Sequence, residues 1–189
     1  LKVGGGGLAG VGRGAVARWT GEGEPVTADE GTWTVRAVDG ADVRLRSGRI
    51  GLMSVDVSAP VTAGDLQVDG EQVRLRLTLA LDKLRTNFVM QGAARSLIKR
   101  NNAHALTYSG NGRSGQPWQV NGAAVAGDVT VALSLTVTPV GPANDPMSEI
   151  ELVGSAELGT IHLPLPGLGT VDNFAFDVDA RLALGIKPV

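Results

Sequence analysis

From Gly31 onward, apolar and polar residues alternate with a period of two. The clearest run is Val73 to Leu81. Val73, Leu75, Leu77, Leu79 and Leu81 share one face, and Arg74, Arg76, Thr78 and Ala80 share the other. Successive side chains of a strand point to opposite faces, so this run predicts a half-buried strand with one wet face. The same design recurs at Val131, Leu133, Leu135 and Val137, with Ala132, Ser134, Thr136 and Thr138 opposite. Ile150, Leu152, Gly154, Ala156 and Leu158 alternate with positions that include Glu151 and Glu157. Phe174, Phe176, Val178, Ala180, Leu182 and Leu184 alternate with positions that include Asp177, Asp179 and Arg181. Shorter runs lie at Trp33, Val35 and Ala37 and at Val43 and Leu45, separated by a turn over 38–42. The run from Ile50 to Val57 is less regular, and Ala59-Pro60 reads as its end. Clean alternation of this kind belongs to antiparallel sheet rather than to parallel α/β sheet.

Three segments depart from the pattern. Residues 1–30 read as an N-terminal arm and linker. They contain the Gly4–Gly7 run, a rough helical spacing of Leu8, Val11, Ala15, Val16 and Trp19, and the breaker Gly21-Glu22-Gly23-Glu24-Pro25. Asn87 to Arg100 has no alternation, and Phe88, Gln91, Arg95 and Ile98 recur at helical spacing, which predicts a short helix. Gly159 to Thr170 carries Pro164 and Pro166, which cannot donate to a ladder, so it reads as an apolar loop or capping turn. Residues 31–189 then form one all-β domain. About seven to nine strands, each with one aliphatic face, suit a closed barrel or a two-layer sandwich, and the long strands favour the barrel.

Composition sharpens this picture in two ways. Aromatics are few (three Phe, three Trp, one Tyr), so the inward faces are mainly Val, Leu and Ala. A barrel lined by such residues is expected to keep an unfilled apolar lumen, the alternative being a dry core. Leu75, Leu77, Leu133, Leu135, Val137, Phe176 and Val178 are the expected lining. The net charge of −2 leaves no general nucleic-acid footprint, although residues 1–100 carry 14 Lys and Arg against 11 Asp and Glu. The basic set Lys83, Arg85, Arg95, Lys99 and Arg100 brackets the helical insertion and could hold an anionic head group there. No run of about 18 apolar residues exists to cross a membrane as a helix.

Catalytic patterns are weak. His104 and His162 are the only histidines, each among aliphatic neighbours, and no G-x-S-x-G, H-E-x-x-H or P-loop pattern is present. The chain has no Cys, hence no disulfide and no thiolate chemistry. Asp177 and Asp179 pair on the polar face of a strand without further metal ligands. The expectation is a non-enzymatic protein without cofactor or metal.

The order of elements resembles the YceI-like family of bacterial lipid-binding proteins. Gly31-Thr32-Trp33-Thr34-Val35 is similar to that family's opening strand. Leu79-Ala80-Leu81-Asp82-Lys83-Leu84-Arg85-Thr86-Asn87 resembles its strand that runs into a helical insertion. Leu106-Thr107-Tyr108-Ser109-Gly110 resembles the returning strand, and Val120-Asn121-Gly122 with Gly127-Asp128-Val129-Thr130-Val131 the late hairpin. Ser155 to Leu158 and Val178 to Ala180 are similar to the closing pair. The family's Arg-Asp and Asp-Phe-Phe elements are missing from the insertion, where Ala94-Arg95-Ser96-Leu97-Ile98 stands, and His104 replaces a proline. The resemblance implies an antiparallel lipocalin-like β-barrel that binds or carries a polyisoprenoid or similar amphiphilic lipid, and a periplasmic or secreted location. The alternative expectation is a dry-cored interaction domain that binds a protein partner or forms a homodimer.

Overall fold

The computed structural model of the chain describes residues 24–25, 31–36, 40–48, 54–100, 102–115, 117–141, 148–159, 161–162 and 170–186. The strands are β1 (Glu24–Pro25), β2 (Gly31–Val35), β3 (Asp42–Ser47), β4 (Asp56–Asp69), β5 (Gln72–Ala80), β6 (Arg85–Thr86), β7 (Ala105–Arg113), β8 (Trp118–Ala126), β9 (Val129–Gly141), β10 (Glu149–Leu158), β11 (Ile161–His162), β12 (Thr170–Val171) and β13 (Phe174–Ile186). One helix, α1 (Phe88–Arg100), lies between β6 and β7.

The large sheet closes on itself. It runs β9, β10, β13, then β2 with β3, then β4, β5, β7 and β8, and β8 pairs back to β9. Strands β2 and β3 share one position between β13 and β4: β2 pairs Leu184 to Ile186 and β3 pairs Phe176 to Ala180. The result is a closed, antiparallel, eight-stranded β-barrel of the lipocalin-like kind. Closure removes the exposed strand edges that an open sheet would leave. Two hairpins turn tightly through glycines with positive φ, Gly70 between β4 and β5 and Gly127 between β8 and β9. Such a backbone is open to glycine without a Cβ penalty.

The alternation predicted for β5 holds. Val73, Leu75, Leu77, Leu79 and Leu81 are buried, while Arg74 and Arg76 are exposed. The helical insertion is also as expected. Asn87 precedes α1 as a favoured N-cap residue, and its carbonyl accepts the first turn's bond from the Gln91 N–H at 3.0 Å. At the other end Asn102 has φ 48, its N–H donates to the Lys99 carbonyl at 3.3 Å, and the Ala103 N–H donates to the Ile98 carbonyl at 3.0 Å. That pair of bonds is a Schellman cap with Asn in the left-handed position. Gln91 ties the helix to the chain before it, donating to the Leu84 carbonyl and accepting from the Thr86 N–H, both at 3.3 Å.

Two expectations need correction. Ala59-Pro60 does not end a strand, because β4 runs through it for 14 residues. On one side β4 pairs β3, with Asp42 opposite Pro60, and the Val61 N–H donates to the Ala41 carbonyl. Donors alternate sides along an antiparallel strand, so the nitrogen of Pro60 faces the other way. There the β6 ladder stops at Ser58 and the β5 ladder starts at Val61, so no ladder bond is lost at the proline. The second correction concerns Gly159 to Thr170, whose ends form a small ladder, Ile161 opposite Val171 and His162 opposite Thr170. Pro164 and Pro166 lie outside the described residues. So does most of the expected N-terminal arm, of which Glu24 and Pro25 pair with Gly141 and Val140 of β9.

Candidate functional site

The inside of the barrel has two different halves. At the end holding the β4–β5 turn, the interior is filled. Leu66, Val73, Val120, Val137, Ile150 and Leu182 are 0 % exposed, and Trp118 and Trp33 are 2 % and 5 % exposed. Tyr108 belongs to this half. It lies flat across Gly110, where an added Cβ would stand in collision with its hydroxyl oxygen. Its O–H reaches two backbone carbonyls, Val120 on β8 at 3.2 Å and Leu133 on β9 at 3.3 Å. The phenol therefore spans from β7 to β9. Burial pushes its pKa up from 10.0 to about 12, since the charged form would be poorly solvated.

At the opposite end the barrel has an open apolar mouth of 230 Å³. Seven of the eight strand positions contribute: Leu45 and Ser47 from β3, Val57 from β4 with Val55 just before it, Leu106 from β7, Ala124 and Ala126 from β8, Val129 and Val131 from β9, Leu158 from β10, and Phe174 and Phe176 from β13. Ser47 is the one polar side chain in this lining, and its Oγ accepts a bond from the Val55 N–H at 2.8 Å.

The floor of the mouth is formed by six of these strands. On each the next inward residue past the lining is buried: Val43 on β3, Ala59 on β4, Tyr108 on β7, Leu133 on β9, Ala156 on β10 and Val178 on β13. On β8 the corresponding residue is Gly122, which is only partly buried. This placement sorts the expected lining residues. Phe176 lines the mouth. Leu133, 8 % exposed, and Val178, 4 % exposed, belong to the floor. Leu75, Leu77, Leu135 and Val137 are 2 % exposed or less, which corrects the expectation that they line a continuous tube. A tube wide enough for a lipid chain would leave them accessible to water. The physical reason is the placement of the few aromatics, for Trp33, Tyr108 and Trp118 all lie in the filled half. The lining residues that sequence reasoning missed, Leu106, Ala124, Ala126 and Val131 among them, share strand faces with core residues. Only position along the strand separates the two sets.

The basic residues fall into separate places. Arg85 is engaged by the Asp42 carboxylate. Arg95 and Lys99 flank a second hollow of 220 Å³ against α1, with Leu81, Asp82, Leu84, Ile98 and His104. Lys83 is exposed, and the side chain of Arg100 lies outside the described residues. Other ion pairs on the outer wall join Arg44 to Asp56 and Arg46 to Asp179, both at 3.7 Å. A broader groove of 360 Å³ on the outer face of β2, β4, β5 and β7 contains Arg74 and Arg76 with Gln67, Asn111 and Ser109. There Asp65 stands opposite Arg76 and Gln67 opposite Arg74, the cross-strand arrangement of a wet sheet face.

His104 is exposed, with its Nε2 at 3.1 Å from the Asn102 Oδ1. His162 lies in β11, a different element. Among the described residues, no group of three or more His, Asp or Glu is placed to hold a metal ion. No helix among them is long and apolar enough to cross a membrane. The chain matches no known family model and no curated protein.

Proposed function

We propose that this protein binds or carries, without catalysis, a polyisoprenoid or similar amphiphilic lipid through its apolar chain. The observation that carries the reading is the mouth, an open hollow of 230 Å³ lined by aliphatic and aromatic side chains from seven strand positions. Each CH₂ buried there contributes about 0.8 kcal/mol, so affinity can come from the chain alone. The similarity of the element order to the YceI-like family supports the same reading. Arg95 and Lys99, beside the α1 hollow at this end, suit an anionic head group.

A displacement assay with a polarity-sensitive apolar dye tests the proposal, alongside mass spectrometry of lipids retained by the purified protein. Amphiphiles with an apolar chain should displace the dye. Val131→Trp should fill the mouth and abolish displacement while the fold persists by circular dichroism. Arg95→Glu should weaken anionic amphiphiles and spare neutral ones. A wild-type protein that binds no apolar chain would sink the proposal. The filled half of the barrel favours a second reading, a dry-cored domain that binds a protein or a second copy of itself. Concentration-dependent dimerisation without any chain binding would support it.

A further inference from the structure

We infer that the mouth limits chain length, taking only the terminal eight to ten carbons of an apolar chain, with Tyr108 and Leu133 as the stop. This rests on the lipid-binding reading above and adds a boundary to it. A cavity of about 150 Å³ holds a six-carbon ring, so by proportion 230 Å³ holds roughly eight to ten carbons. A polyisoprenoid several times longer cannot be enclosed, and its remaining chain stays outside the barrel.

The stop is built, not incidental. Leu106 lines the mouth, and Tyr108, the next inward residue of β7, is 2 % exposed. Its ring leans over Gly110 and its hydroxyl donates to the Leu133 carbonyl, and Leu133 is itself the next inward residue after Val131 on β9. Moving the ring to deepen the pocket would break both of its bonds to backbone carbonyls. A buried hydroxyl left without an acceptor costs free energy, so the ring resists displacement. Above this floor the wall residues Ala124 and Ala126 are small and leave the space that a chain end would occupy.

The test is a chain-length series of straight-chain alcohols, from six to sixteen carbons, measured by dye displacement below their solubility limits. Affinity should rise about four-fold per added carbon while each carbon enters the mouth, then level off near eight to ten. Ala124→Leu should move the plateau to shorter chains, and Leu133→Ala should move it to longer ones. Melting by circular dichroism checks that each variant folds, and the wild-type series stands without them. A wild-type affinity that keeps climbing to sixteen carbons overturns the limit but leaves lipid binding intact. A plateau that neither variant shifts overturns the assignment of the stop. Absence of binding at every length fails the lipid-binding reading itself.

Discussion

The two halves of the barrel are made by the same strands, yet only one of them is solid. On β13, Leu182 and Leu184 are 0 % and 4 % exposed, whereas Phe174 and Phe176 on the same inward face are only partly buried. The alternation that directs side chains inward is identical along the strand. What differs is the volume delivered at each level. Trp33, Tyr108 and Trp118 converge on one half, while Ala124 and Ala126 thin the wall of the other. Period two decides which side chains face the interior, and residue size at each level decides whether an interior remains.

The comparison predicts unequal costs of truncation. Trp118→Ala, in the filled half, should lower unfolding free energy by about 3–5 kcal/mol, because a large buried side chain leaves a cavity that close packing cannot close. Phe176→Ala, on the half-buried wall of the mouth, should cost only about 1–2 kcal/mol. Urea denaturation of both variants measures the difference. Equal losses would mean that the mouth is as tightly packed as the rest.

Adding a methyl group sharpens the contrast. At Gly110 a new Cβ would collide with the Tyr108 hydroxyl and approach the Val120 Cγ1 to 2.8 Å. Overpacking of this kind predicts a loss of about 1–3 kcal/mol for Gly110→Ala. At Gly159, near the open end, nothing lies within 4 Å of such a Cβ. Gly159→Ala should stay within about 0.5 kcal/mol of the native protein. A Gly110→Ala variant as stable as the native one would show that the Tyr108 ring can yield.

Much of this was legible in the sequence. The strand faces of β5, β9, β10 and β13 follow from period two, and α1 follows from the loss of it between Asn87 and Arg100. The long strand β4 was not legible, because a proline inside a strand is tolerated only where two neighbouring ladders both leave a gap. Average composition, poor in aromatics, points to an unfilled lumen. Composition carries no information about level along the barrel axis, and the aromatics are not spread evenly. Phe176 apart, the expected lining on β9 and β13 therefore lies one to three layers too deep, with Leu135 and Val137 in the solid half.

Tyr108 allows the boundary between the halves to be titrated. It is the only tyrosine in the chain, so its ionisation can be followed by ultraviolet absorbance without overlap from another. The folded phenol holds its proton up to about pH 12, against 10.0 for an ordinary tyrosine. The stability this group contributes is thus complete below pH 10.0 and is lost as the pH climbs through about 12. Absorbance should titrate near 12 in the native protein and near 10 in urea. Tyr108→Phe should cost about 1 kcal/mol at neutral pH by removing the bonds to the Val120 and Leu133 carbonyls, and should flatten the alkaline loss. A native midpoint near 10 would mean that water reaches the ring through the mouth.

The smallest expected effect lies on the rim. Arg85 was a candidate for binding a head group, but its guanidinium meets the Asp42 carboxylate and so joins the short β6 segment to β3. The Arg85 side chain is 67 % exposed and that of Asp42 is 23 % exposed, so water screens the attraction and two side chains must be ordered to make it. Surface pairs of this kind are worth about 0–1 kcal/mol. A double-mutant cycle with Arg85→Ala and Asp42→Ala should return a coupling within that range, shrinking as salt is added. Arg85→Ala should also leave the binding of anionic amphiphiles unchanged, because its charge is already matched, in contrast to Arg95→Glu beside the α1 hollow. If Arg85→Ala weakens anionic ligands as much as Arg95→Glu does, Arg85 exchanges Asp42 for the ligand and the rim takes part in binding.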